Sequence, residues 1–580
     1  MCGIFGHTET PKKNMHKSRD ALHTLTHRGP DQWGEWSNDR VYLGHRRLSI
    51  LDLSENGRQP MTDRKQEVII TVNGEIYNYL QLKKELQKTY EFKSTTDSEV
   101  ILYGYKKWGI QVLLEKIDGM YAFCIYDVKK QKIFLARDRA GIKPLYYSNI
   151  GNNFAWASEL KALENFYHSK VLTIDHTALF DYLTYIYIPT PKTLYKNIYK
   201  LQPAHYLEID LNPNHFVIKK YWELDTSAQD ISLPQAKFEL KQLTKQSVEE
   251  QLMSDVPVGF FLSGGMDSST VVSLATKFSD KINTYSIGFD DKAHDETEYA
   301  KIVADYFRTN HKTQIVSSKD VLDLFSNLRD WYDEPFADTS AFPTYLVSKF
   351  AKKDSTVVLT GDGGDELFGG YKWYQNIKTR KDILKKQIGL KKLRKTMVRT
   401  LQKKITPLKL ELQDSTFIIE QFLSQSSGGL REHQKEHYAE LLNIEKDYDS
   451  YWHIRKYYKK ELPLRTRIQY IDFHTYLPDD ILTKVDRTSM AVSLEARVPF
   501  LSKKLIEFSF SLPEAIRYKD NELKGLMKET FKDLLPESII TRDKKGFSIP
   551  LRNWANSLVK TRKTIQEEIL FSLFKEIIPE

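Results

Sequence analysis

The chain has 580 residues, 41% of them hydrophobic, with a net charge of +9 and two cysteines. That length accommodates two or three domains with sizeable cores, while two cysteines exclude a disulfide framework and no Cys/His spacing fits a zinc site. No uncharged apolar run approaches a membrane span, and residues 1–20 hold no apolar segment behind a basic start, so a cytoplasmic protein away from membranes is expected.

The chain opens Met-Cys-Gly-Ile-Phe-Gly. Removal of Met1 would leave Cys2 with a free α-amine, which titrates at roughly 7.7–8.0 and can take the thiol proton. Nucleophile and base then share one residue. Four segments with polar groups follow at the ends of strand-like apolar runs: His27-Arg28-Gly29-Pro30-Asp31, Arg47-Leu48-Ser49-Ile50-Leu51, Val72-Asn73-Gly74-Glu75-Ile76-Tyr77-Asn78 and Thr96-Asp97. Strands are expected at Val68–Val72, Tyr121–Asp127, Lys132–Ala136, Leu145–Tyr147 and Phe154–Ala157, with helices at Leu80–Gln87 and Ser98–Lys107. Short connections such as Lys129-Lys130-Gln131 suit hairpins, which implies two stacked antiparallel sheets with flanking helices. Cys124 alternates with aromatic residues and reads as a small buried hydrophobe.

With Cys2, these four segments resemble the glutaminase domain of class II amidotransferases, an Ntn-type αββα sandwich. The resemblance implies that Cys2 attacks the side-chain amide of glutamine, and that the Asn73 side chain and Gly74 N–H hold the oxyanion. It also implies a glutamine pocket of Arg47, Leu48, Ser49, Ile50 and Leu51. Arg47 would pair with the α-carboxylate, and Glu75 and Asp97 would hold the α-ammonium.

Residues 186–235 contain Pro189, Pro191, Pro203, Pro213 and Pro234 and few helix-period signals, so a junction falls there. The first domain is placed at residues 1–207, a linker at 208–231 and the second domain at 232–580. In Val256–Ala275, a short apolar strand at Gly259–Leu262 meets a helix from Ser268 to Phe278 across Ser263-Gly264-Gly265. Unpaired N–H groups at such a helix start face an anion, and glycines admit its close approach. Asp267 beside a phosphate calls for an intervening cation such as magnesium. The lysine-bearing GxxxxGK[ST] loop is not present.

Beyond it, Ile282–Phe289, Lys312–Val316 and Val357–Leu359 read as strands, alternating with helices at Glu296–Phe307, Val321–Arg329 and Ala341–Ala351. This predicts a doubly wound parallel sheet with ligands at the carboxyl ends of its strands. The last strand ends in Thr360-Gly361-Asp362-Gly363-Gly364-Asp365-Glu366, suited to hold magnesium and substrate groups opposite the Gly-Gly turn. About a dozen Lys and Arg fall between Lys378 and Lys404. There Leu393, Met397, Leu401 and Ile405 recur at helical spacing, so an amphipathic helix with a solvated basic side is expected rather than a nucleic-acid surface.

Leu477–Arg487, Glu495-Ala496-Arg497-Val498-Pro499-Phe500, and Lys524 and Lys528 complete the motifs. Together with Ser-Gly-Gly-Met-Asp-Ser-Ser, which is similar to the loop of enzymes that split ATP between its α and β phosphates, they resemble the glutamine-hydrolysing asparagine synthetase family, B type. The resemblance covers nearly the whole chain. It implies ATP contacts at Leu262, Ser263, Gly264, Gly265, Asp267, Ser268, Ile287, Thr360 and Gly361, and Mg²⁺ at Asp267 and Asp365. Asp362 would act on the adenylated intermediate, and Lys528, with Lys524 as second choice, on the departing pyrophosphate. This chain has Asp362 where Glu is common in the family, and Ser502 where Asp usually follows Pro-Phe-Leu.

The implied reaction activates the β-carboxylate of aspartate as an acyl-adenylate. Ammonia from glutamine then reaches it through an interior channel, giving asparagine, AMP and pyrophosphate. Small-molecule substrates, no nucleic-acid partner and a homodimer are the expected company. The nearest alternative keeps the scheme but amidates another carboxylate, on an envelope sugar or a peptidoglycan precursor. Lactam closure needs no ammonia and so no Cys2, and an RNA-modifying or RNA-binding role would require salt-sensitive tRNA binding.

Overall fold

Alternation along the strands decides the layering of the first domain. On β6 (Gly119–Asp127), Ala122, Cys124 and Tyr126 share one core cluster with Ile4, Leu43, Trp156 and Leu207, while Tyr121, Phe123 and Ile125 share another with helical residues such as Leu82 and Ile101. The period of two on a strand thus gives one sheet two buried faces. The computed structural model describes residues 1–167, 172–212, 215–291, 294–379, 407–427, 429–430 and 432–543.

One six-stranded sheet runs in the order β10 (Ile198–Lys200), β8 (Tyr146–Ile150), β9 (Asn153–Ala157), β1 (Gly3–His7), β3 (Tyr42–Arg47), β2 (Gln32–Ser37). The other runs β12 (His215–Lys220), β11 (His205–Asp210), β7 (Lys132–Arg137), β6, β5 (Val68–Ile76), β4 (Met61–Thr62). All these strand pairs are antiparallel. Helices α1 (Pro11–His23) and α4 (Leu160–Tyr167) cover the first sheet through Ala21, Leu22, Leu163 and Phe166. Helices α2 (Tyr79–Leu86) and α3 (Glu99–Lys116) cover the second. The result is the αββα sandwich that the sequence implied.

Three local expectations change. Helix α3 extends nine residues past Lys107, broken at Gly109, whose φ is 75°. The second sheet continues through β12, placed above in the linker, because β12 completes a hairpin with β11. Helix α5 (His176–Tyr185), placed in the first domain, buries Ala178, Leu179 and Tyr182 in a cluster with Ile287 and Val358 of the second.

The second domain is built on a parallel sheet in the order β15 (Asn310–Val316), β14 (Asn283–Phe289), β13 (Val258–Phe261), β16 (Val357–Leu359), β17 (Glu495–Arg497). One face carries Phe260, Val357 and Leu359 against α6 (Leu233–Gln251), α7 (Met266–Ala275) and α8 (Thr297–Phe307). The other carries Tyr285, Ile287, Val358 and Ala496 against the helices Ala341–Ala351 and Leu482–Met490. Helices on both faces satisfy a sheet whose strands are buried on either side. The helix expected over Val321–Arg329 is instead three short pieces, Ser318–Leu322, Phe325–Asn327 and Leu328–Tyr332. The basic stretch lies almost wholly at 380–406, outside the described residues.

Buried charges join the domains. Arg28 bonds Asp486 through both terminal nitrogens (2.8 and 3.1 Å) and Glu159 at 2.7 Å. Arg487 pairs with Glu159 at 3.0 Å and with Asp333 at 3.3 Å. A buried charge is costly unless paired, so each of these residues fixes the position of its partners.

Candidate functional site

In the first domain Cys2 sits at the start of β1 and is buried. Its backbone N–H donates to Asn73 Oδ1 at 3.0 Å, and its carbonyl accepts from Arg28 Nε at 3.1 Å. Asn73 and Gly74 lie inside β5, not at a hairpin turn. Because Asn73 Oδ1 faces Cys2, the amide nitrogen Nδ2 is fixed as a donor, and it is buried with no partner among the described residues. A buried donor left unbonded is costly, and this one suits an oxyanion beside the thiol. Burial raises the Cys2 thiol, while the N-terminal ammonium, the Leu48 N–H and Arg47 act to lower it.

Arg47 directs its terminal nitrogens to Gln32 Oε1 (2.8 Å) and to the carbonyls of Leu51 (3.0 Å), Asp52 (2.5 Å) and Ser54 (3.1 Å), and so orders the loop that follows β3. Asp31 of the His-Arg-Gly-Pro-Asp segment caps the Ser49 N–H at 2.8 Å. Ile50 accepts from the Asp255 N–H of the second domain at 2.9 Å. Glu75 and Asp97 are both buried. Burial raises each, and Glu75 is raised further by Asp97 and by Glu495.

Met1 occupies the space between the domains. Its ammonium lies 2.7 Å from Glu495 Oε2, and both side chains are fully buried. Burial acts to raise the Glu495 carboxyl, but that ammonium, Arg497 and Lys143 outweigh it and bring it to about 2. Arg497 bonds Glu495 through Nε at 2.7 Å and approaches Glu75 at 3.8 Å. The Glu-Ala-Arg motif of β17 therefore places two charges of the second domain beside the glutaminase pocket, a role the sequence did not disclose.

In the second domain a cavity of about 750 Å³ opens at the carboxyl ends of the parallel strands. Leu262, Ser263, Gly265, Asp267, Ser268, Ile287, Thr360, Gly361, Asp362 and Asp365 line it, all from the expected set. The Leu262 amide and carbonyl are engaged by Tyr285 O (3.0 Å) and Ser286 Oγ. Ser268 Oγ receives the Ser263 N–H at 3.3 Å and so closes the turn. Asp362 Oδ2 accepts from Thr360 Oγ1 at 2.7 Å.

Asp267 and Asp365 converge on one ammonium, Lys524 Nζ, with Asp365 at 2.5 Å. Burial lowers Lys524, but the two carboxylates outweigh it and hold it above the ordinary lysine value. The acidic loop packs closely on Asp267: a Cβ at Gly364 would lie 2.6 Å from Asp267 Oδ1. Two carboxylates facing one cation, with glycine backbone against them, are a donor set that Mg²⁺ would also fit. Lys528 lines the same cavity, but its Nζ bonds Glu522 at 2.8 Å. Of the two lysines expected at the departing pyrophosphate, Lys524 is the one that pairs with Asp267 and Asp365.

Further along the cavity, Lys484 Nζ bonds Asp338 Oδ2 at 2.7 Å. Burial acts to raise the Asp338 carboxyl, yet Lys484 holds it at about 2, while buried Asp480 beside it is raised by burial and by Asp338. Lys484 falls within a quoted motif; Asp338 sits in a loop with no sequence signal.

A family model described as "Asparagine synthase" matches residues 239–572, and one described as "Glutamine amidotransferase domain" matches residues 1–222. The chain is 33% identical over 553 residues to "Asparagine synthetase [glutamine-hydrolyzing] 1" of Bacillus subtilis, covering 94% of this chain and 85% of that protein. It is 43% identical over 401 residues to "Putative asparagine synthetase [glutamine-hydrolyzing] 2" of Methanocaldococcus jannaschii, covering 65% and 76% respectively. A solved glutamine phosphoribosylpyrophosphate amidotransferase from B. subtilis superposes with a TM-score of 0.30 at 17% identity, over 54% of this chain and 65% of that one, a likeness that adds nothing to the assignment. With a synthase domain over more than half its length and a glutamine amidotransferase domain ahead of it, the chain belongs to the glutamine-hydrolysing asparagine synthetase family.

Proposed function

We propose that the chain performs glutamine-dependent amidation, converting L-aspartate to L-asparagine through a β-aspartyl-AMP intermediate, with release of AMP, pyrophosphate and glutamate. The observation that carries the nucleotide half is the convergence of Asp267 and Asp365 on Lys524 beside the Ser-Gly-Gly turn. An anion held there meets helix N–H groups and an ammonium together. Asp267 and Asp365 would hold Mg²⁺, which when bound would screen the phosphate charge. Lys524 would then be free to follow charge onto the departing pyrophosphate.

The glutaminase half rests on Cys2 and Asn73. Once Met1 is removed, the Cys2 amine accepts the thiol proton, and the thiolate attacks the glutamine amide carbon. Asn73 Nδ2, already aimed and unbonded, stabilises the oxyanion by about 3 kcal/mol. The amide nitrogen leaves as ammonia and water releases glutamate from the thioester.

Aspartate is favoured over a sugar acid by the Lys484–Asp338 pair on the cavity wall. A cation and an anion side by side match an α-carboxylate and an α-ammonium. Met1 belongs to one apolar cluster that also holds Leu48, Ile50, Met120 and Ile142. Apolar surroundings of this kind would keep ammonia neutral on its way between the sites by penalising ammonium.

The test supplies purified protein with glutamine, ATP, magnesium and a panel of carboxylic acids, and follows AMP and pyrophosphate. Aspartate-dependent formation of both is expected. Formation with another acid but not aspartate overturns the substrate, and release of ADP and orthophosphate overturns the mechanism.

A further inference from the structure

Arg542 lies just after the short helix Glu537–Thr541, outside every motif described above, yet it lines the nucleotide cavity. Its side chain is 9% exposed. One terminal nitrogen donates to the Gly264 carbonyl at 2.9 Å, the other pairs with Glu296, and the guanidinium carbon lies 4.0 Å from the centre of the Tyr299 ring. Three segments meet on one planar group: the Ser-Gly-Gly turn, the residue that precedes α8, and the first turn of α8. A guanidinium can donate in two directions while stacking on an aromatic face, and a lysine ammonium cannot reproduce that geometry.

The bond to Gly264 matters because of that residue's conformation. Gly264 has φ of 68°, and a Cβ there would lie 2.5 Å from the Tyr299 carbonyl carbon, so the turn is both left-handed and pressed against α8. In a planar trans peptide the C=O and the following N–H point in opposite directions. Drawing the Gly264 carbonyl out to Arg542 turns the Gly265 N–H inward, where it meets Ser263 Oγ at 3.2 Å at the mouth of α7. Without that anchor, a Gly-Gly peptide, which carries no Cβ atoms, turns more easily.

We propose that Arg542 is a positioning residue for the phosphate-binding turn: by anchoring the Gly264 carbonyl, it fixes the orientation of the Gly264–Gly265 peptide and so presets the donors that receive the ATP phosphates. The inference rests on the proposed use of ATP in this cavity and adds a determinant of nucleotide affinity. Arg542 touches the turn, not the reacting atoms, so its effect belongs in binding.

The experiment compares wild-type protein with Arg542→Gln and Arg542→Lys, measuring pyrophosphate release with ammonia as nitrogen source across a range of ATP concentrations. Glutamine hydrolysis without ATP serves as the control for folding. For Arg542→Gln the KM for ATP is expected to rise about tenfold, with kcat within about twofold and glutamine hydrolysis held. Arg542→Lys, which keeps the charge but not the fork, is expected to fall between. An unchanged KM for ATP in both variants overturns the inference, as does a loss of kcat with KM held. If Arg542→Gln loses both activities together, the lysine variant decides by the same criterion. Absence of pyrophosphate release in the wild type would instead overturn the proposed function, so the two failures are distinguishable.

Discussion

The Met1 ammonium and the Glu495 carboxylate form a fully buried ion pair, 2.7 Å long, that spans the two domains. While Met1 remains, the Cys2 nitrogen is an amide and cannot act as a base. Chains that retain Met1 are therefore expected to use ammonia but not glutamine. Intact-mass measurement of preparations differing in Met1 retention checks this: the rate of glutamine hydrolysis should track the processed fraction, and hydrolysis by fully unprocessed protein would contradict it.

Cys2→Ala is expected to abolish glutamine hydrolysis and leave ammonia-dependent synthesis within about twofold of wild type, because Cys2 is not among the described residues that line the nucleotide cavity. Loss of both activities in a folded variant would refute the division of labour between the domains.

Asn73→Ala removes the aimed donor while leaving β5 in place. A fall in the kcat of glutamine hydrolysis of about 10²–10³ is expected, the size of effect seen when one oxyanion donor is removed. Steady-state kinetics with glutamine alone reads it, and a change confined to KM would argue for a binding role instead.

The two lysines of the nucleotide cavity separate cleanly. Lys524→Ala leaves Asp267 and Asp365 facing each other without their ammonium, and aspartate-dependent pyrophosphate release is expected to fall at least about a hundredfold. Lys528→Ala loses an exposed pair with Glu522, for which a change below about fivefold is expected, since such pairs contribute under about 1 kcal/mol. The reverse order of effects would restore Lys528 to the place the sequence first gave it.

The Asp338–Lys484 pair sets a pH dependence. Asp338 is held at about 2, below its ordinary 3.8, so the pair's contribution of about 2 kcal/mol is complete above pH 4 and disappears as pH falls through about 2. The thermal-melting advantage of wild type over Asp338→Asn should be full at pH 5 and gone near pH 2. Burial and Asp338 raise the neighbouring Asp480 carboxyl, so Asp480→Asn, which removes a group of disfavoured charge, should melt within a few degrees of wild type.

What was legible in the sequence was local. The strand alternation, the Ser-Gly-Gly turn, the acidic loop after Val357–Leu359 and the terminal cysteine are each marked by a few adjacent residues. What was not legible depends on contact across the fold. Arg28 was visible in a motif, but its partner Asp486 is 458 positions away. Lys524 and Lys528 occupy one helical stretch, and only packing decides which of them reaches the carboxylates. Residues 208–231 read as a linker because prolines and polar residues weaken the strand signal, yet the hairpin partner β11 draws His215–Lys220 into the sheet.

Strand β17 belongs to the nucleotide sheet, yet Glu495 and Arg497 point their charges into the neighbouring sandwich, as Asp486 and Arg487 do from the helix beside it. Cutting the chain at its proline-rich junction would strip these groups of their counter-ions on fresh, dehydrated faces. The two catalysts are thus obligate companions, and neither fragment should survive as a soluble piece alone.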